Sequence, residues 1–296
     1  MKKIEIRSCP VCDSINFNKV VTTSDYLVTA ELFDIMECNE CTLRFTNPIP
    51  VESEIGKYYK SDKYISHATD TVSIFDSVYK LVRIYTLRSK RKTVEQSSQK
   101  RNGTILDIGC GTGDFLKKMK NHGWEIEGVE VTQAAQKLAE ANTGSTIMNQ
   151  NEFFKSEQKY DVITFWHSLE HLHELKTYLQ KISISLNANG VVIIAVPNYN
   201  SYDAEYYKQD WAAYDVPRHL YHFSSDSIIK LMDQHKLIHR EQLPFDPFYV
   251  SLLSEMSARK KHNIIKALLV GLKSYWLGRK NVEMGSSVLY IFTRKN

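Results

Sequence analysis

The stretch Ile105-Leu106-Asp107-Ile108-Gly109-Cys110-Gly111-Thr112-Gly113-Asp114 decides how this 296-residue chain folds. It begins as a short apolar run with an acidic residue and continues as a turn with glycine at every second position. Because glycine has no Cβ, such a turn can bend tightly and bring its backbone against a ligand. Helical periodicity follows at 115–122. The stretch therefore predicts a strand, a ligand-binding turn and a helix.

Short apolar runs alternate with helical segments from residue 103 onward. Candidate strands lie at 104–108, 125–129, 161–165, 191–196, 237–242 and 287–293. Strands separated by helices of this length form βαβ units in a mostly parallel sheet. We therefore expect the α/β class, with a doubly wound, mostly parallel seven-stranded sheet. The last strand is predicted to be an antiparallel edge.

An acidic residue, Glu130, ends the second predicted strand, seventeen residues after Gly113. A carboxylate there can accept hydrogen bonds from both hydroxyls of a ribose. A dinucleotide fingerprint would need its third glycine at position 114, which is Asp114 in this chain. The spacing thus favours a nucleoside ligand other than NAD.

Four of the five cysteines form two CxxC pairs, Cys9-Pro-Val-Cys12 and Cys38-Asn-Glu-Cys41. This spacing matches the ligands of a structural zinc ribbon, in which four thiolates leave no position for a substrate water. Alternating stretches at 17–21 and 32–36 predict short strands between the pairs. Two disulfides are the alternative. The fifth cysteine, Cys110, is expected to be a small residue of the glycine turn.

The chain divides into three predicted parts. Prolines at 48 and 50 place a boundary near residue 50, so 1–50 is the ribbon, 51–102 a helical lid or linker, and 103–296 the sheet domain with a helical insertion at 248–280. The net charge of +4 is too small to imply a polyanionic partner. No secretory signal and no transmembrane segment are evident, so the expected location is cytoplasmic.

These motifs resemble the class I S-adenosylmethionine-dependent methyltransferases over roughly residues 55–296. Three further segments carry the resemblance: 130–135, Leu169-Glu170-His171 and 186–198. It implies a Rossmann-like methyltransferase fold with S-adenosylmethionine as cofactor, Asp107 and the glycine turn at its methionyl end and Glu130 at its ribose. The predicted cofactor contacts are Asp107, Gly109, Cys110, Gly111, Gly113, Glu130, Val131, Asn151, Glu152, Phe153, Trp166, His167 and Tyr64.

The segment 211–223 follows the fifth strand, where loops face the ligand crevice. His219 is the expected general base because imidazole titrates near neutrality. Arg218 is expected to hold an anionic group of the substrate. The alternative is that both residues pin the loop by pairing with Asp215 or Asp203. Part of the family resembles this chain in a Trp-to-Pro-Arg-His-to-Phe pattern here.

His167 is the third predicted catalytic residue, with a purely structural role as the alternative. With His171 and His173 it could also form a second metal site, because residues four apart share a helix face. The competing interpretation is that Glu170 and His171 cap the following helix.

The insertion predicts a basic amphipathic helix around 264–276. Its apolar residues are Ile264, Ile265, Leu268, Leu269, Leu272 and Trp276, with Lys266, Lys273, Arg279 and Lys280 interspersed or flanking. Such a helix could make peripheral contact with a membrane. The favoured interpretation is that it packs on its own domain or on a partner subunit of a homodimer.

The predicted function is methyl transfer from S-adenosylmethionine to a small-molecule acceptor, such as a nucleotide-linked sugar or another cell-envelope or secondary-metabolite precursor. Zinc-ribbon methyltransferases that resemble this chain in cysteine layout include enzymes acting on nucleotide-linked sugars and some acting on ribosomal RNA. One alternative is an RNA methyltransferase that uses the ribbon and the basic residues at 88–101. Another is a non-catalytic binding module in which the ribbon recruits a protein.

Overall fold

The structure is a computed structural model that describes residues 2–59, 74–245, 249–259 and 263–295. Tyr64, a predicted cofactor contact, lies outside the described residues. So does Val72, where the helix of the linker was predicted to begin. The side chains at 74–82 are also outside the described part of the chain.

The first fifty residues form a small β-structure. Its strands are β1 (Lys3–Ile4), β2 (Phe17–Ser24), β3 (Leu32–Cys38), β4 (Arg44–Asn47) and β5 (Ile49–Pro50). β2, β3 and β4 pair antiparallel, with Phe17 opposite Cys38 and Ser24 opposite Leu32, and β1 pairs with β5. The strands predicted at 17–21 and 32–36 are present and slightly longer than expected.

The rest of the described chain forms a sheet with flanking helices. The further strands are β6 (Gly103–Ile108), β7 (Trp124–Val129), β8 (Ile147–Met148), β9 (Tyr160–Trp166), β10 (Leu186–Pro197), β11 (Tyr221–His222), β12 (Leu237–Pro244) and β13 (Ser287–Arg294). The helices are α1 (Glu52–Ile55), α2 (Ile74–Ser98), α3 (Asp114–Lys120), α4 (Gln133–Thr143), α5 (Gln150–Lys155), α6 (Leu175–Ser185), α7 (Tyr202–Tyr207), α8 (Ser225–Gln234), α9 (Tyr249–Leu253) and α10 (Ile264–Lys280).

Seven strands form the central sheet in the order β12-β13-β10-β9-β6-β7-β8. The five strands from β10 to β8 run parallel, and β13 is antiparallel to both of its neighbours. Successive residues of β10 point to opposite faces: Val192 and Ile194 join the core that contains α6 and α8, whereas Val191 and Ile193 join the core that contains α2 and α3. The predicted doubly wound, mostly parallel seven-stranded fold is confirmed.

One detail of the strand prediction was wrong. β13 is antiparallel as expected, but it lies between β12 and β10 instead of at the edge. Its residues Ser287 to Phe292 are all buried, which fits a strand covered on both faces. The edge strand is β12.

The ribbon is joined to the sheet domain by a shared strand. β11 pairs with β4, with Tyr221 opposite Phe45, and completes a four-stranded sheet in the order β11-β4-β3-β2. The loop at 211–223 is thereby built partly into the ribbon. In the part of the chain that the structure describes, no helix combines the length and apolar character needed to cross a bilayer.

Candidate active site

The glycine turn, residues 109–113, leaves the carboxyl end of β6. At Gly109, with φ 75°, a Cβ would lie 2.5 Å from the Cβ of Ser168, so only glycine fits there. At Gly111, with φ 55°, a Cβ would meet no described atom within 4 Å. The middle of the turn therefore borders open space at the strand ends, where a doubly wound sheet binds its ligand.

Glu130, directly after β7, closes one side of this space. Its Oε2 accepts a hydrogen bond from the backbone N–H of Gly111 (3.0 Å) and its Oε1 from that of Thr132 (2.9 Å). These bonds fix the carboxylate beside the turn, and each oxygen retains a lone pair that a ribose hydroxyl could use. Val131 leaves 64% of its surface exposed, so an apolar face adjoins the carboxylate.

Cys110 packs inside the turn. Its Sγ packs against Gly128 of β7, so closely that a Cβ added at Gly128 would lie 2.9 Å from the sulfur. This contact holds the turn against β7. Burial raises the pKa of the Cys110 thiol, so the thiol stays protonated and is a poor nucleophile. These contacts agree with its expected role as a small turn residue.

Asp107 is buried at the other end of the turn. Its Oδ1 accepts a hydrogen bond from Thr164 Oγ1 at 2.6 Å. Burial raises the pKa of the Asp107 carboxyl to about 7, although the Thr164 hydroxyl and the charge of Lys90 oppose the shift. A buried acid of this kind is poised to receive a cationic group, which would favour its ionised form.

Lys90, on α2, also belongs to this site. The sequence does not identify it, because the basic run at 88–92 is typical of a solvated helix face. Its Nζ lies 4.7 Å from the centre of the Trp166 ring and 5.9 Å from that of Phe115. Burial lowers the pKa of the Lys90 ammonium to about 8. The buried Trp166 indole N–H has no hydrogen-bond partner among the described residues. The two donors could together receive a carboxylate.

A helical signal could have identified Lys90. It precedes the fully buried Val94 by four residues on α2, and residues four apart share one helix face. Arg83 on the same helix forms an ion pair with Asp114 at the start of α3. These contacts hold α2 along the crevice.

The predicted adenine contacts at the start of α5 differ in placement. Asn151 is exposed. Glu152 forms a capping box with Asn149. The Glu152 carboxylate accepts a hydrogen bond from the backbone N–H of Asn149 (2.7 Å), and the backbone N–H of Glu152 donates one to Asn149 Oδ1 (3.0 Å). Phe153 is fully buried and stacked on Tyr178. The contact predicted for Phe153 is not supported, because its ring belongs to the core.

Four side chains gather where β9 ends and the 211–223 loop crosses it; they are His167, Glu170, His171 and His219. The Glu170 carboxylate is fully buried, and neither oxygen makes a normal hydrogen bond to a described residue. Its Oε1 lies 3.5 Å from His167 Nδ1 and 4.0 Å from His219 Nε2. Burial acts to raise the pKa of Glu170, but the surrounding histidines outweigh burial and lower it below its usual value.

His219 turns one ring nitrogen toward this carboxylate. Its Nδ1 lies 2.8 Å from the carbonyl oxygen of Ala213, and we assign the proton to this nitrogen because a carbonyl can only accept. The free Nε2 also lies 3.9 Å from Oδ2 of Asp215. An imidazole with its lone pair between two carboxylates can accept a proton, and the resulting cation would be stabilised.

His171 is the second imidazole beside Glu170. Its Nδ1 lies 3.0 Å from the carbonyl oxygen of Arg218 and 3.1 Å from the Tyr59 hydroxyl. Burial, together with the charge of His219, lowers the pKa of His171 to about 4, so its ring is neutral near pH 7.

The second metal site predicted from three histidines is not assembled. His173 turns away and places its Nε2 3.0 Å from the carbonyl oxygen of Pro50. A different trio comes together instead: Glu170, His171 and His219 offer donor atoms within 4.8 Å of one another. Two imidazoles and a carboxylate can bind a divalent cation as well as a proton.

Arg218 is fully buried, and each of its three guanidinium nitrogens donates a hydrogen bond within the protein. It donates to both oxygens of Asp215 (2.7 to 3.1 Å), to Oδ1 of Asp25 (2.9 Å) and to the carbonyl oxygen of Tyr58 (2.7 Å). The prediction that it holds an anionic substrate group is not supported, because the guanidinium is buried among these partners. The structure agrees with the alternative of pinning by Asp215, whereas Asp203 is bonded elsewhere.

The ribbon supports the same loop from its other side. The hydroxyl of Thr46 donates to the carbonyl oxygen of His219 (2.8 Å), and the Thr46 N–H donates to that of Leu220 (3.0 Å). The Leu220 N–H in turn donates to the carbonyl oxygen of Glu170 (2.8 Å). His219 is therefore held between the ribbon and the end of β9.

The four ribbon cysteines form one cluster, with all four sulfurs within 4.8 Å of one another. The sulfurs of Cys9 and Cys41 are 3.4 Å apart, as are those of Cys12 and Cys38. Disulfide sulfurs would be about 2 Å apart, so the cysteines are free thiols. A hydrogen bond to Cys41, opposed by burial, lowers the pKa of Cys9 to about 5. This donor set could hold a tetrahedral Zn²⁺.

The two CxxC turns have the same backbone geometry. In each, the residue after the second cysteine has φ 60°, and its N–H donates to the carbonyl oxygen of the first cysteine, from Asp13 to Cys9 (2.9 Å) and from Thr42 to Cys38 (3.0 Å). Two matching turns facing one another agree with a shared metal centre.

Comparisons with known proteins concern the sheet domain. A family model described as a methyltransferase domain matches residues 79–237. The O-methyltransferase resE of Aspergillus sclerotiorum is 27% identical over 164 residues, covering 49% of this chain and 61% of the relative. A ubiquinone biosynthesis O-methyltransferase of Actinobacillus pleuropneumoniae serotype 5b is 32% identical over 116 residues, covering 34% of this chain and 50% of the relative. The chain thus spans half to three-fifths of these relatives' length.

The fold agrees with this match. The crystal structure of magnesium protoporphyrin IX methyltransferase from Synechocystis PCC 6803, solved with bound S-adenosylhomocysteine, superposes with a TM-score of 0.55 at 12% identity. It covers 82% of this chain and 100% of that chain. At this identity the likeness concerns the fold alone. The family match covers more than half of the chain, which therefore belongs to the methyltransferase domain family and has the fold of its class I S-adenosylmethionine-dependent members.

Proposed function

We propose that this chain transfers a methyl group from S-adenosylmethionine to a hydroxyl oxygen of a small-molecule acceptor, with His219 as the general base. The observation that carries the proposal is the position of Glu170. Its carboxylate lies between His167, at the end of β9, and the free Nε2 of His219. A base on the 211–223 loop is thereby linked to the strand end that borders the cofactor crevice.

The residues of the crevice fit the charges of the cofactor. Glu130 would bind the ribose hydroxyls, with Val131 beside the adenine. The methionyl group carries one ammonium and one carboxylate, which match Asp107 and Lys90. When bound, the cofactor supplies an activated methyl group on a sulfonium. The chain's own task is then to position the acceptor and remove its proton.

Residues on the acceptor side would remove the hydroxyl proton of the acceptor. Nε2 of His219 would take the hydroxyl proton of the acceptor, and Glu170 and Asp215 would stabilise the imidazolium that forms. Arg218 would act as a positioning residue that holds Asp215 against the ribbon. His171, neutral near pH 7, would border the acceptor without changing charge.

Support for an oxygen acceptor comes from two sources. The named curated relatives are O-methyltransferases. A hydroxyl is also the acceptor that most needs a base. A nucleotide-linked sugar or a similar precursor satisfies this chemistry. RNA is less well supported, because the net charge of +4 is small for a protein that binds a polyanion.

We also propose that Cys9, Cys12, Cys38 and Cys41 hold a structural Zn²⁺. The metal would stabilise a ribbon too small for a large core of its own, and the ribbon would in turn hold the 211–223 loop. Elemental analysis of the purified protein should find one zinc per chain. Cys12→Ser with Cys38→Ser should lose it.

The test of the main proposal is titration calorimetry of the zinc-replete protein with S-adenosylmethionine, S-adenosylhomocysteine and NAD. We expect the two adenosyl ligands to bind and NAD not to bind. Glu130→Ala should weaken both adenosyl ligands by about 100-fold, because two charge-assisted hydrogen bonds are lost. Glu125→Ala, at an exposed position of β7, the strand that precedes Glu130, is the matched control. Absence of adenosyl binding in the parent protein would overturn the proposal.

With binding established, the protein is screened for methylation of nucleotide-linked sugars, phenolic acceptors and RNA with radiolabelled S-adenosylmethionine. Transfer to a small-molecule hydroxyl is the expected result. Transfer confined to RNA, with an activity that falls steeply as salt rises, would replace the small-molecule assignment by the RNA alternative.

A further inference from the structure

Helix α10 is oriented with its larger apolar residues facing outward. Its buried positions are small or medium-sized residues: Ala267, Val270, Gly271, Ser274 and Gly278. Its large apolar residues are exposed on the opposite face, and they include Ile265 (74% exposed), Leu269 (62%) and Trp276 (64%), with Leu268 and Leu272 beside them. A surface helix normally buries its large apolar face. This apolar stripe, residues 265, 268, 269, 272 and 276, is therefore left uncovered by the residues that the structure describes.

The stripe has a basic border. Lys266, Lys273 and Lys280 recur every seven residues, which places them in a line along one side of it, and Arg279 lies at its carboxyl end. The helix contains no acidic residue between 264 and 280. Two of the lysines lie over tyrosine rings of α7, Lys266 over Tyr206 (5.4 Å) and Lys273 over Tyr202 (4.5 Å).

This charge pattern selects the partner. In a second copy docked stripe to stripe, the lysines of both helices would border the contact with no acidic residue on either helix to pair with them. An anionic surface would pair with the basic border and cover the apolar stripe at the same time. We propose that α10 is an in-plane anchor that docks this protein on a membrane containing anionic lipid.

The anchor is connected to the 211–223 loop by buried hydrogen bonds. Ser274 on α10 donates to Oδ1 of Asp203 (2.8 Å), and the indole N–H of Trp211 donates to Oδ2 of the same carboxylate (2.9 Å). Trp211 begins the loop that carries His219. Docking would thus place the enzyme beside acceptors that carry a lipid tail, a step that rests on the proposed function, whereas docking itself does not.

The test is co-sedimentation of the full chain with vesicles of phosphatidylcholine alone or mixed with phosphatidylglycerol. We expect binding to the mixed vesicles and little to phosphatidylcholine alone. Ile265→Ser with Leu269→Ser and Trp276→Ser should lower the partition coefficient at least about tenfold, because these side chains supply the apolar contact. Replacing the three border lysines by glutamine should lower it by a similar factor and reduce its salt dependence.

Matched controls use exposed residues elsewhere. Ile15→Ser with Leu138→Ser and Ile184→Ser removes three exposed apolar side chains outside α10. Lys137→Gln with Lys230→Gln and Lys236→Gln removes three exposed lysines. Both controls should bind vesicles as the parent protein does.

Two outcomes would overturn the docking proposal. One is parent protein that stays in solution with anionic vesicles. The other is a dimer, measured by analytical ultracentrifugation, that becomes monomeric in the stripe variant, which would assign the stripe to a second copy. Titration of each variant with S-adenosylhomocysteine reports separately on the cofactor site, so failure of docking and failure of the proposed function are distinguishable.

Discussion

The two sides of the crevice are built by different means. The cofactor side is made mainly by one strand, one turn and the next strand, with Asp107, Gly111 and Glu130 inside 24 residues of sequence. The acceptor side is assembled from distant segments: Asp25 of the ribbon, the carbonyl of Tyr58, Glu170 after β9 and the 211–223 loop.

This difference has a mechanical consequence. Local hydrogen bonds from Gly111 and Thr132 fix Glu130 whether or not the ribbon is in place. His219 keeps its position only if Thr46 of the ribbon, Arg218 and Glu170 all hold its loop. Damage to the acceptor side should therefore leave cofactor binding intact.

The largest expected effect is on turnover. His219→Asn keeps a donor near the position of Nδ1 for the Ala213 carbonyl but removes the lone pair of Nε2. The rate of methyl transfer should fall by about 10²- to 10⁴-fold, the usual contribution of a general base. Affinity for S-adenosylhomocysteine should stay unchanged in calorimetry.

The split between kcat and KM separates a base from a positioning residue. His219→Asn should lower kcat and leave the KM for S-adenosylmethionine unchanged, because the lone pair of Nε2 acts only in the transfer step. A rise in KM with kcat unchanged would make His219 structural.

The next effect is on stability. Arg218→Met would leave the buried carboxylate of Asp25 and the partly buried carboxylate of Asp215 without their cation, which costs about 3–5 kcal/mol for a buried ion pair. The free energy of unfolding, measured by urea titration, should fall by that amount. Arg91→Met is the control, because its pair with Glu95 joins two partly exposed residues of one helix and contributes about 1 kcal/mol or less. Equal losses in the two variants would contradict the clamp.

The cofactor side could be predicted from the sequence better than the acceptor side. The strand, the glycine turn and the acid were predicted correctly because each depends on residues that are close in sequence. Arg218 was given a substrate role because the sequence does not reveal that Asp25, almost 200 residues away, would pair with it in the core. Phe153 was placed near the adenine because the family resemblance implies an acid followed by an apolar residue there, and the resemblance does not reveal that the ring stacks on Tyr178 in the core. Lys90 was not identified because it lies in a basic run, and only the packing of α2 shows which residues of that run face inward.

A third prediction concerns the role of Lys90 on the cofactor side. If Lys90 binds the methionyl carboxylate, Lys90→Met should weaken S-adenosylhomocysteine by about ten- to a hundredfold, as expected for one charged hydrogen bond. Methylthioadenosine, which lacks the amino-acid group, should bind both proteins equally in calorimetry. A parallel loss for both ligands would mean that Lys90 shapes the site without contacting the carboxylate.

The smallest effect on binding is a pH dependence, and its sign is opposite to that of the pH dependence of stability. Burial raises the pKa of Asp107 to about 7, against about 4 in an unfolded chain. A raised folded-state pKa contributes stability that is fully present below about pH 4 and is lost as pH rises to about 7. Cofactor affinity should instead rise between pH 6 and 8, by less than about tenfold, as Asp107 ionises to meet the methionyl ammonium. Asp107→Asn should flatten both dependences, raising the melting temperature of the unliganded protein above pH 7 while weakening the cofactor. If both quantities kept their parental pH dependence in this variant, another group would be titrating, and the methionyl end of the crevice would need a different acid.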